Sequence, residues 1–241
     1  MSNRALDPST STLVTQYAHL LSLAAHEFRT PASVVGGYLR MLQKDTESPL
    51  SERQRKMIDE AARSCARLVA LIGELSEVGK LDSNALPVRT DTFDLFADLE
   101  EVARNVHEAE DREVRLELSG VAAGAMVAGD RPRLSAAFGA FFRALLREQP
   151  TAVTMVCERR LVTDGTSTSA VVVIARESDV QRAYESPAQP FDEHRGGIGL
   201  SLPIARRVIE RTGGRIWAPT PASDTDRGLR SALVVSIPLP E

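Results

Sequence analysis

The segment His26–Pro31, with the sequence HEFRTP, combines side chains that can carry out phosphoryl chemistry. An imidazole nitrogen can attack phosphorus and hold a phosphoryl group as a labile phosphoramidate. Glu27 can accept a ring proton from its neighbour, which raises the nucleophilicity of the other ring nitrogen. Thr30 lies one helical turn after His26, where its hydroxyl can orient a water molecule against a phosphorylated partner. These residues predict a catalytic site in which His26 is the phospho-acceptor and Glu27 and Thr30 assist it.

Apolar residues flank this segment at spacings of three, four and seven, which is typical of an amphipathic helix. They are Leu13, Tyr17, Leu20, Ala24, Phe28, Val35, Tyr38 and Leu42. His26 is two residues from both Ala24 and Phe28, about 200° around a helix, so its imidazole is expected to point into water. Pro31 has no N–H to donate and predicts a bend in the helix. The alternative is a solvated helix face that happens to carry His, Glu and Arg.

The HEFRTP segment resembles the phospho-acceptor box of bacterial two-component histidine kinases, usually HELRTP, and only Phe28 departs from it. A helix from about Leu13 to Lys44 precedes a second helix, whose start is marked by a capping box of Ser51 and Gln54. Together they predict an antiparallel hairpin. A hairpin with one apolar side buries it best against a second copy in a four-helix bundle, as the resemblance also implies. The alternative is a hairpin that packs against its neighbouring domain.

From residue 92 onward, mixed helices and strands predict a two-layer α+β sandwich. Their order resembles the Bergerat-type ATPase domain of histidine kinases. We predict an N-terminal tail (1–12), a dimerisation and phospho-acceptor hairpin (13–82), a linker (83–91) and a degenerate histidine-kinase-like ATPase domain (92–241). The expected fold class is therefore an all-α helical hairpin, forming a dimeric four-helix bundle, followed by an α+β two-layer sandwich of Bergerat ATPase type.

The motifs of the second domain depart from the family where the nucleotide should bind. Gly129–Leu134 resembles the entry to a helix with two asparagines, but those positions fall on Ala140 and Ala144. In the family these amides help to coordinate magnesium, and an alanine methyl cannot replace them. Arg176 stands where the family has an aspartate that accepts from the adenine amino group, and both glycines of that box are missing. Asp179 is the candidate replacement from a displaced position.

A second glycine-rich segment keeps more of the family pattern. Gly196–Leu202 opens a helix and resembles the second glycine box. Gly197, Gly199 and Leu200 are therefore candidate nucleotide-binding residues, since backbone amides at a helix start can hold phosphate. Pro190–Asp192 resembles the phenylalanine box, and it lies so close that almost no nucleotide lid remains. The alternative is that these glycines only let the helix pack closely against the sheet.

The composition argues against several other functions. A formal net charge of −4 gives no reason to expect a nucleic-acid partner, because such binding needs a basic surface. His19 and His26 are seven residues apart, not the four that would chelate a metal on one helical face, so no metal site is predicted. Cys65 and Cys157 are interpreted as buried small residues in a reducing compartment. No window approaches the roughly 18 apolar residues that span a bilayer, and the first residues lack a signal-peptide pattern. We therefore expect no membrane partner and a cytoplasmic location.

A nearly intact phospho-acceptor box beside a degenerate nucleotide site favours a two-component phosphorelay protein. We expect a homodimeric histidine phosphotransferase that exchanges a phosphoryl group between His26 and an aspartate on a response-regulator receiver domain. That transfer requires no cofactor at the protein itself. One alternative is an active sensor histidine kinase that uses Mg-ATP. Another is a non-catalytic dimeric adaptor that binds receivers without chemistry, although docking alone would need neither Glu27 nor Thr30.

Overall fold

The computed structural model describes residues 8–46, 48–83, 91–221 and 226–240, with side chains from residue 16 onward in the first helix. The chain divides into two compact units, Met1–Pro87 and Val88–Glu241. Most of the predicted linker, residues 84–90, lies outside the described residues, as do residues 1–7 of the predicted tail.

Two long helices form the first unit, α1 (Pro8–Lys44) and α2 (Glu52–Asp82). α1 begins five residues before the predicted start at Leu13, and proline suits the first turn of a helix because its missing N–H would have no partner there. The helix continues through Pro31. α2 begins at the predicted capping box. The Ser51 side chain accepts from the Gln54 backbone N–H, and the Gln54 side chain accepts from the Ser51 N–H at 3.0 Å.

On α1, small residues and not the large apolar ones of the predicted stripe pack against α2. Ala25 and Ala32 of α1 form a small core with Ile72 of α2. Gly79 lets the helices approach closely, since a Cβ at this position would lie 3.0 Å from the Ala18 carbonyl oxygen. The large members of the predicted stripe are 44% to 64% exposed: Tyr17, Leu20, Phe28, Val35, Tyr38 and Leu42. The two helices of the hairpin therefore do not cover this apolar surface of α1 themselves.

The second unit contains a six-stranded sheet in the order β2-β4-β5-β8-β7-β6. The strands are β1 (Asp91–Asp94), β2 (Val114–Gly120), β3 (Met126–Gly129), β4 (Val153–Asp164), β5 (Ser167–Arg176), β6 (Ala188–Gln189), β7 (Arg215–Pro219) and β8 (Leu233–Pro238). β2 and β4 run parallel, and the other neighbours are antiparallel. β1 and β3 form a separate antiparallel pair. The sequence does not predict β1 or β6, because such short strands show too little periodicity.

Helices lie on both faces of this sheet: α3 (Leu95–Arg104), α4 (Arg131–Arg147), α5 (Val180–Glu185), α6 (Ser201–Arg211) and α7 (Arg227–Arg230). Arg159 of β4 donates to the Phe96 carbonyl of α3 at 3.0 Å, which places α3 on one face, and α4 contacts both α3 and α6. On the other face Val171 of β5 packs with Val180 of α5 and Leu229 of α7. The predicted α+β sandwich is confirmed, and the short helices α5 and α7 are additions that the sequence does not predict.

Candidate functional site

His26 lies on the exposed side of α1. Its side chain is 75% exposed and that of Glu27 is 72% exposed, and Nδ1 of His26 is 3.5 Å from Oε1 of Glu27. Because this contact engages Nδ1, the other ring nitrogen, Nε2, is the one available to a partner. Thr30, one turn further along, is also exposed. The structure confirms that the imidazole points into water, and it places all three predicted residues on one exposed stretch of helix that another folded domain can reach.

The two positions where the resemblance expects asparagines are apolar and buried in α4. Ala140 is 7% exposed and Ala144 is 3% exposed. Their methyl groups offer no ligand to a cation. In the part of the chain that the structure describes, no group of three or more His, Cys, Asp or Glu side chains could hold a metal ion.

Arg176 and Asp179 follow β5, and the side chains of both are engaged within the chain. Nε of Arg176 donates to Oε1 of the fully buried Gln149 at 3.0 Å. Oδ1 of Asp179, a buried residue, accepts from Arg182 at 2.7 Å. Arg182 also donates to Asp226 at 2.6 Å, and that hydrogen bond, together with the charges of both aspartates, raises the pKa of Arg182. The carboxylate expected to replace the adenine acceptor is thus already held by the chain's own arginine.

The glycine-rich segment lies against the last turns of α4. The Arg195 guanidinium donates twice to the Glu148 carboxylate, from Nε at 2.9 Å and from Nη2 at 2.6 Å. Nη1 of Arg147 donates to the Gly196 carbonyl at 2.7 Å. A Cβ on Gly196 would lie 2.6 Å from the carbonyl oxygen of Ala144. A contact this close leaves no space for another molecule between Gly196 and this turn of α4.

Gly197, Gly199 and Leu200 lie at the entry to α6. A Cβ on Gly197 would lie 2.9 Å from Cγ of Leu202, and Gly199 has a φ of 65°, in the left-handed region that favours glycine. Leu200 is the N-cap residue, and its carbonyl accepts from the Ile204 N–H at 3.0 Å. Local packing and backbone conformation therefore explain why both positions are glycines, as expected if the glycines only let the helix pack closely against the sheet. Nucleotide binding at these residues stays a prediction.

The sequence does not predict that Arg147, Glu148 and Arg195 hold this segment in place. Arg195 is 47 residues from Glu148, and Arg147 is 49 residues from Gly196. At such separations along the sequence, charge alone does not show which basic residue pairs with which acidic residue. One sequence feature hints at this arrangement. The segment between the phenylalanine box and the second glycine box is short, so Arg195 has to stay close to the core of the domain.

Known proteins share both parts of this architecture. Residues 17–84 match the model of the His Kinase A (phospho-acceptor) domain. The swarming motility regulation sensor protein RssA of Serratia marcescens is 26% identical over 89% of this chain and 45% of its own length. The chain is therefore similar to two-component sensor histidine kinases, and its first unit matches their phospho-acceptor domain. Another relative is the sensor protein FixL of Bradyrhizobium diazoefficiens, 25% identical over 85% of this chain and 41% of its own length. The chain thus spans less than half the length of these two relatives.

Two solved structures share the fold of the chain. Full-length ShkA in complex with AMPPNP superposes with a TM-score of 0.66 at 19% identity, over 92% of this chain and 45% of ShkA. Histidine kinase ThkA in complex with the response regulator protein TrrA gives a TM-score of 0.51 at 18% identity, over 92% of this chain and 61% of that chain. They confirm a helical hairpin followed by an ATPase-type domain. None of the helices in the described ranges is long and apolar enough to cross a bilayer.

Proposed function

We propose that this protein, which is similar to sensor histidine kinases, acts as a histidine phosphotransferase. His26 exchanges a phosphoryl group with an aspartate on a response-regulator receiver domain. The second unit does not bind ATP as a phosphoryl donor for His26. One observation carries the proposal: the chain's own Arg195–Gly196 segment lies against Ala144 and Glu148, on the helix where the resemblance places the nucleotide's magnesium ligands.

The chemistry at His26 follows from its exposure and from its neighbour. Nε2 attacks the phosphorus of the receiver's aspartyl phosphate, an N–P bond forms, and the P–O bond to the aspartate breaks to release the carboxylate. The proton on Nδ1 is held by Glu27, 3.5 Å away, as positive charge develops on the ring. A positioned general base contributes about 100- to 10,000-fold to a rate. In the opposite direction the same atoms return the phosphoryl group to the receiver.

The residues present do not fit Mg-ATP. Ala140 and Ala144 have no ligand atoms for magnesium, and the Arg176 guanidinium has no acceptor for the adenine amine. Each unmade polar contact costs about 1–3 kcal/mol. Three of them weaken binding by at least about a hundredfold, since about 1.4 kcal/mol is a factor of ten. The part-buried ion pair of Arg195 and Glu148 would also have to separate to admit a ligand between the Arg195–Gly196 segment and α4.

The expected partners are a receiver domain and a second copy of the chain. ThkA, which shares the fold, was solved in complex with a response regulator, and this supports a receiver as the partner of the hairpin. The uncovered apolar stripe of α1 supports the homodimer, because a long exposed apolar surface on a helical hairpin is stabilised by burial in a four-helix bundle.

Two phosphoryl donors offered separately test the proposal. The purified chain and its His26→Ala and Glu27→Ala variants are incubated with labelled Mg-ATP and, in parallel, with a panel of receiver domains charged by labelled acetyl phosphate. We expect acid-labile label on the chain from a receiver only, none on His26→Ala, and slower labelling of Glu27→Ala by about 100- to 10,000-fold. Label from Mg-ATP on His26 would overturn the proposal. Receiver binding without label from either donor would identify an adaptor.

The second candidate function is an active histidine kinase. The relatives are sensor proteins of the family, and ShkA was solved in complex with AMPPNP, a nucleotide analogue. This function requires the Arg195–Gly196 segment to leave α4, and an Arg195→Ala variant removes its bidentate contact with Glu148. If wild-type protein is inert toward Mg-ATP but Arg195→Ala becomes labelled on His26, the second unit is a latent kinase domain.

A further inference from the structure

Formal charge is scarce on α1 around the phospho-acceptor. From Gln16 to Leu39, only Glu27 and Arg29 carry a formal charge at neutral pH. Arg29 is exposed, and its side chain makes no hydrogen bond or ion pair with any other residue that the structure describes. The guanidinium is therefore available to a group that arrives from outside the chain.

Helix geometry brings Arg29 to the phospho-acceptor. Residues three apart on a helix are neighbours, with about 5–6 Å between their Cβ atoms, so Arg29 lies beside His26 on the helix surface. The antiparallel helix offers no substitute cation at this level. Ile72 of α2 packs against Ala25 and Ala32. Arg67 of α2, five residues before Ile72, lies about 140° around that helix and points away from α1.

We infer that Arg29 is the phosphoryl-binding residue of this site. The inference rests on the proposed role of His26 as phospho-acceptor and adds a second residue that contacts the reacting group. A phosphoryl group brings a charge of roughly −1.5 to −2 next to the Glu27 carboxylate. A guanidinium matches phosphoryl oxygens in a bidentate hydrogen-bonding geometry and stays charged at any working pH. Arg29 thus offsets the repulsion from Glu27 and orients the phosphorus toward Nε2 of His26.

A small donor isolates this contact from receiver docking. Potassium phosphoramidate transfers its phosphoryl group when its N–P bond breaks, a new bond to Nε2 of His26 forms, and ammonia leaves. Labelling of the full chain is followed by acid-labile phosphate against donor concentration. Arg40→Ala is the matched control, because Arg40 is also exposed and stands eleven residues, or three turns, after Arg29 on the same side of α1.

We expect Arg29→Ala to slow labelling about ten- to a hundredfold, mainly through a higher KM, in line with the loss of a charged hydrogen-bonding group. Arg29→Lys should recover part of the rate, since an ammonium keeps the charge but not the bidentate geometry. Arg40→Ala should match wild type. Added salt should reduce the wild-type rate more than that of Arg29→Ala, because screening weakens an exposed charge contact.

The outcomes separate the two hypotheses. Arg29→Ala labelling at the wild-type rate, or an equal loss in Arg29→Ala and Arg40→Ala, overturns the role of Arg29 and leaves the proposed function standing. Unlabelled wild type, or undiminished labelling of His26→Ala, overturns the proposed function and the inference with it. Circular dichroism checks that each variant keeps its helices, as expected for an exposed side chain that makes no hydrogen bond or ion pair with the described residues.

Discussion

At the scale of single residues, transfer to an imidazole and hydrolysis of a receiver's aspartyl phosphate need different groups. In the proposed function, transfer uses His26 as the nucleophile and its neighbour Glu27, whose carboxylate lies 3.5 Å from Nδ1. Hydrolysis needs a water molecule aligned with the receiver's phosphorus. The exposed hydroxyl of Thr30, one turn after His26, can provide this alignment.

Thr30→Ala should therefore slow dephosphorylation of a receiver by about a hundredfold, the scale that a misplaced reactant costs, while phosphotransfer continues. The measurement is the loss of label from a charged receiver and the gain of label on His26, followed in one reaction. Thr30→Ser keeps the hydroxyl and should retain both activities. An equal loss of both activities in Thr30→Ala would show that the threonine serves the structure of the helix around Pro31 instead.

Some residue-level features follow from sequence alone and others do not. The exposure of His26 is predictable because helical phase is a local property. The burial of Cys157 is predictable for the same reason in a strand, and burial raises the pKa of its thiol to about 12. The pairing of Arg195 with Glu148 is not predictable, because it depends on how α6 packs against α4 and brings residues distant in sequence together.

At the scale of elements, the long helices are predictable and the region after β5 is not. About ten turns of α1 repeat one apolar period, so local signals agree over its length. After β5, where the glycine box is missing, the sequence predicts no helix or strand before α6. The structure instead has a short 3-10 turn (Glu177–Asp179) followed by α5, whose Val180 packs on the sheet. Six residues are too few for a periodicity signal, and tertiary packing decides their conformation.

Restoring a magnesium ligand on α4 should not restore nucleotide binding. Ala144→Asn adds a polar side chain at a position that is 3% exposed, so it should lower the free energy of unfolding by about 1–3 kcal/mol. Calorimetry should still show no micromolar affinity for Mg-ATP, because Arg176 and the Arg195 segment remain. Urea unfolding followed by the fluorescence of Trp217, the only tryptophan, measures the stability.

Ala136→Asn is the matched control for this substitution. Ala136 lies on the same helix, two turns earlier, and is exposed, so the change should cost only the difference in helix propensity, below about 0.7 kcal/mol. Micromolar binding of Mg-ATP by Ala144→Asn would contradict this expectation. It would show that the missing amide at position 144, and not the Arg195–Gly196 segment beside α4, prevents nucleotide binding in the wild-type protein.

Two adjacent glycines in α1 have different surroundings. A Cβ on Gly36 would lie 3.2 Å from Sγ of Cys65, so Gly36 is needed for close packing with α2. A Cβ on Gly37 would meet nothing within 4 Å. Gly37 stands eleven residues after His26, on the same side of the helix and about 16 Å further along. A glycine in a helix lowers its stability by about 1 kcal/mol relative to alanine. Close packing within the described hairpin does not explain why position 37 is a glycine.

If a receiver docks along this side of α1, Gly37→Trp should block it. We expect phosphotransfer from a receiver to fall at least tenfold, while labelling of His26 by phosphoramidate stays at the wild-type rate. Gly37→Ala is the control and should transfer normally, with a hairpin more stable by up to about 1 kcal/mol. Normal transfer in Gly37→Trp would place the docking surface elsewhere on the hairpin.

At the scale of the whole molecule, the two units differ in what stabilises them. The second unit has its own buried core on both faces of the sheet, including the fully buried Phe138, Phe141 and Phe142 of α4. The hairpin buries a few small residues of α1 against Ile72, Val78 and Leu81 of α2, and it exposes most of the large apolar side chains of α1. A hairpin with so small a core is marginal alone, because most helical stability in proteins comes from packing of an apolar face.

The hairpin should therefore owe its stability to a second copy, and its unfolding should depend on protein concentration. We expect the thermal midpoint of helical circular dichroism to rise with concentration, while the Trp217 transition of the second unit does not. Val35→Glu places a charge in the exposed apolar stripe and should yield a monomer by sedimentation, with a lower hairpin midpoint. Ser33→Glu introduces the same charge at an exposed position off the stripe and should remain dimeric. A wild-type monomer at tens of micromolar, with a concentration-independent midpoint, would contradict the four-helix bundle and require the stripe to be covered in another way.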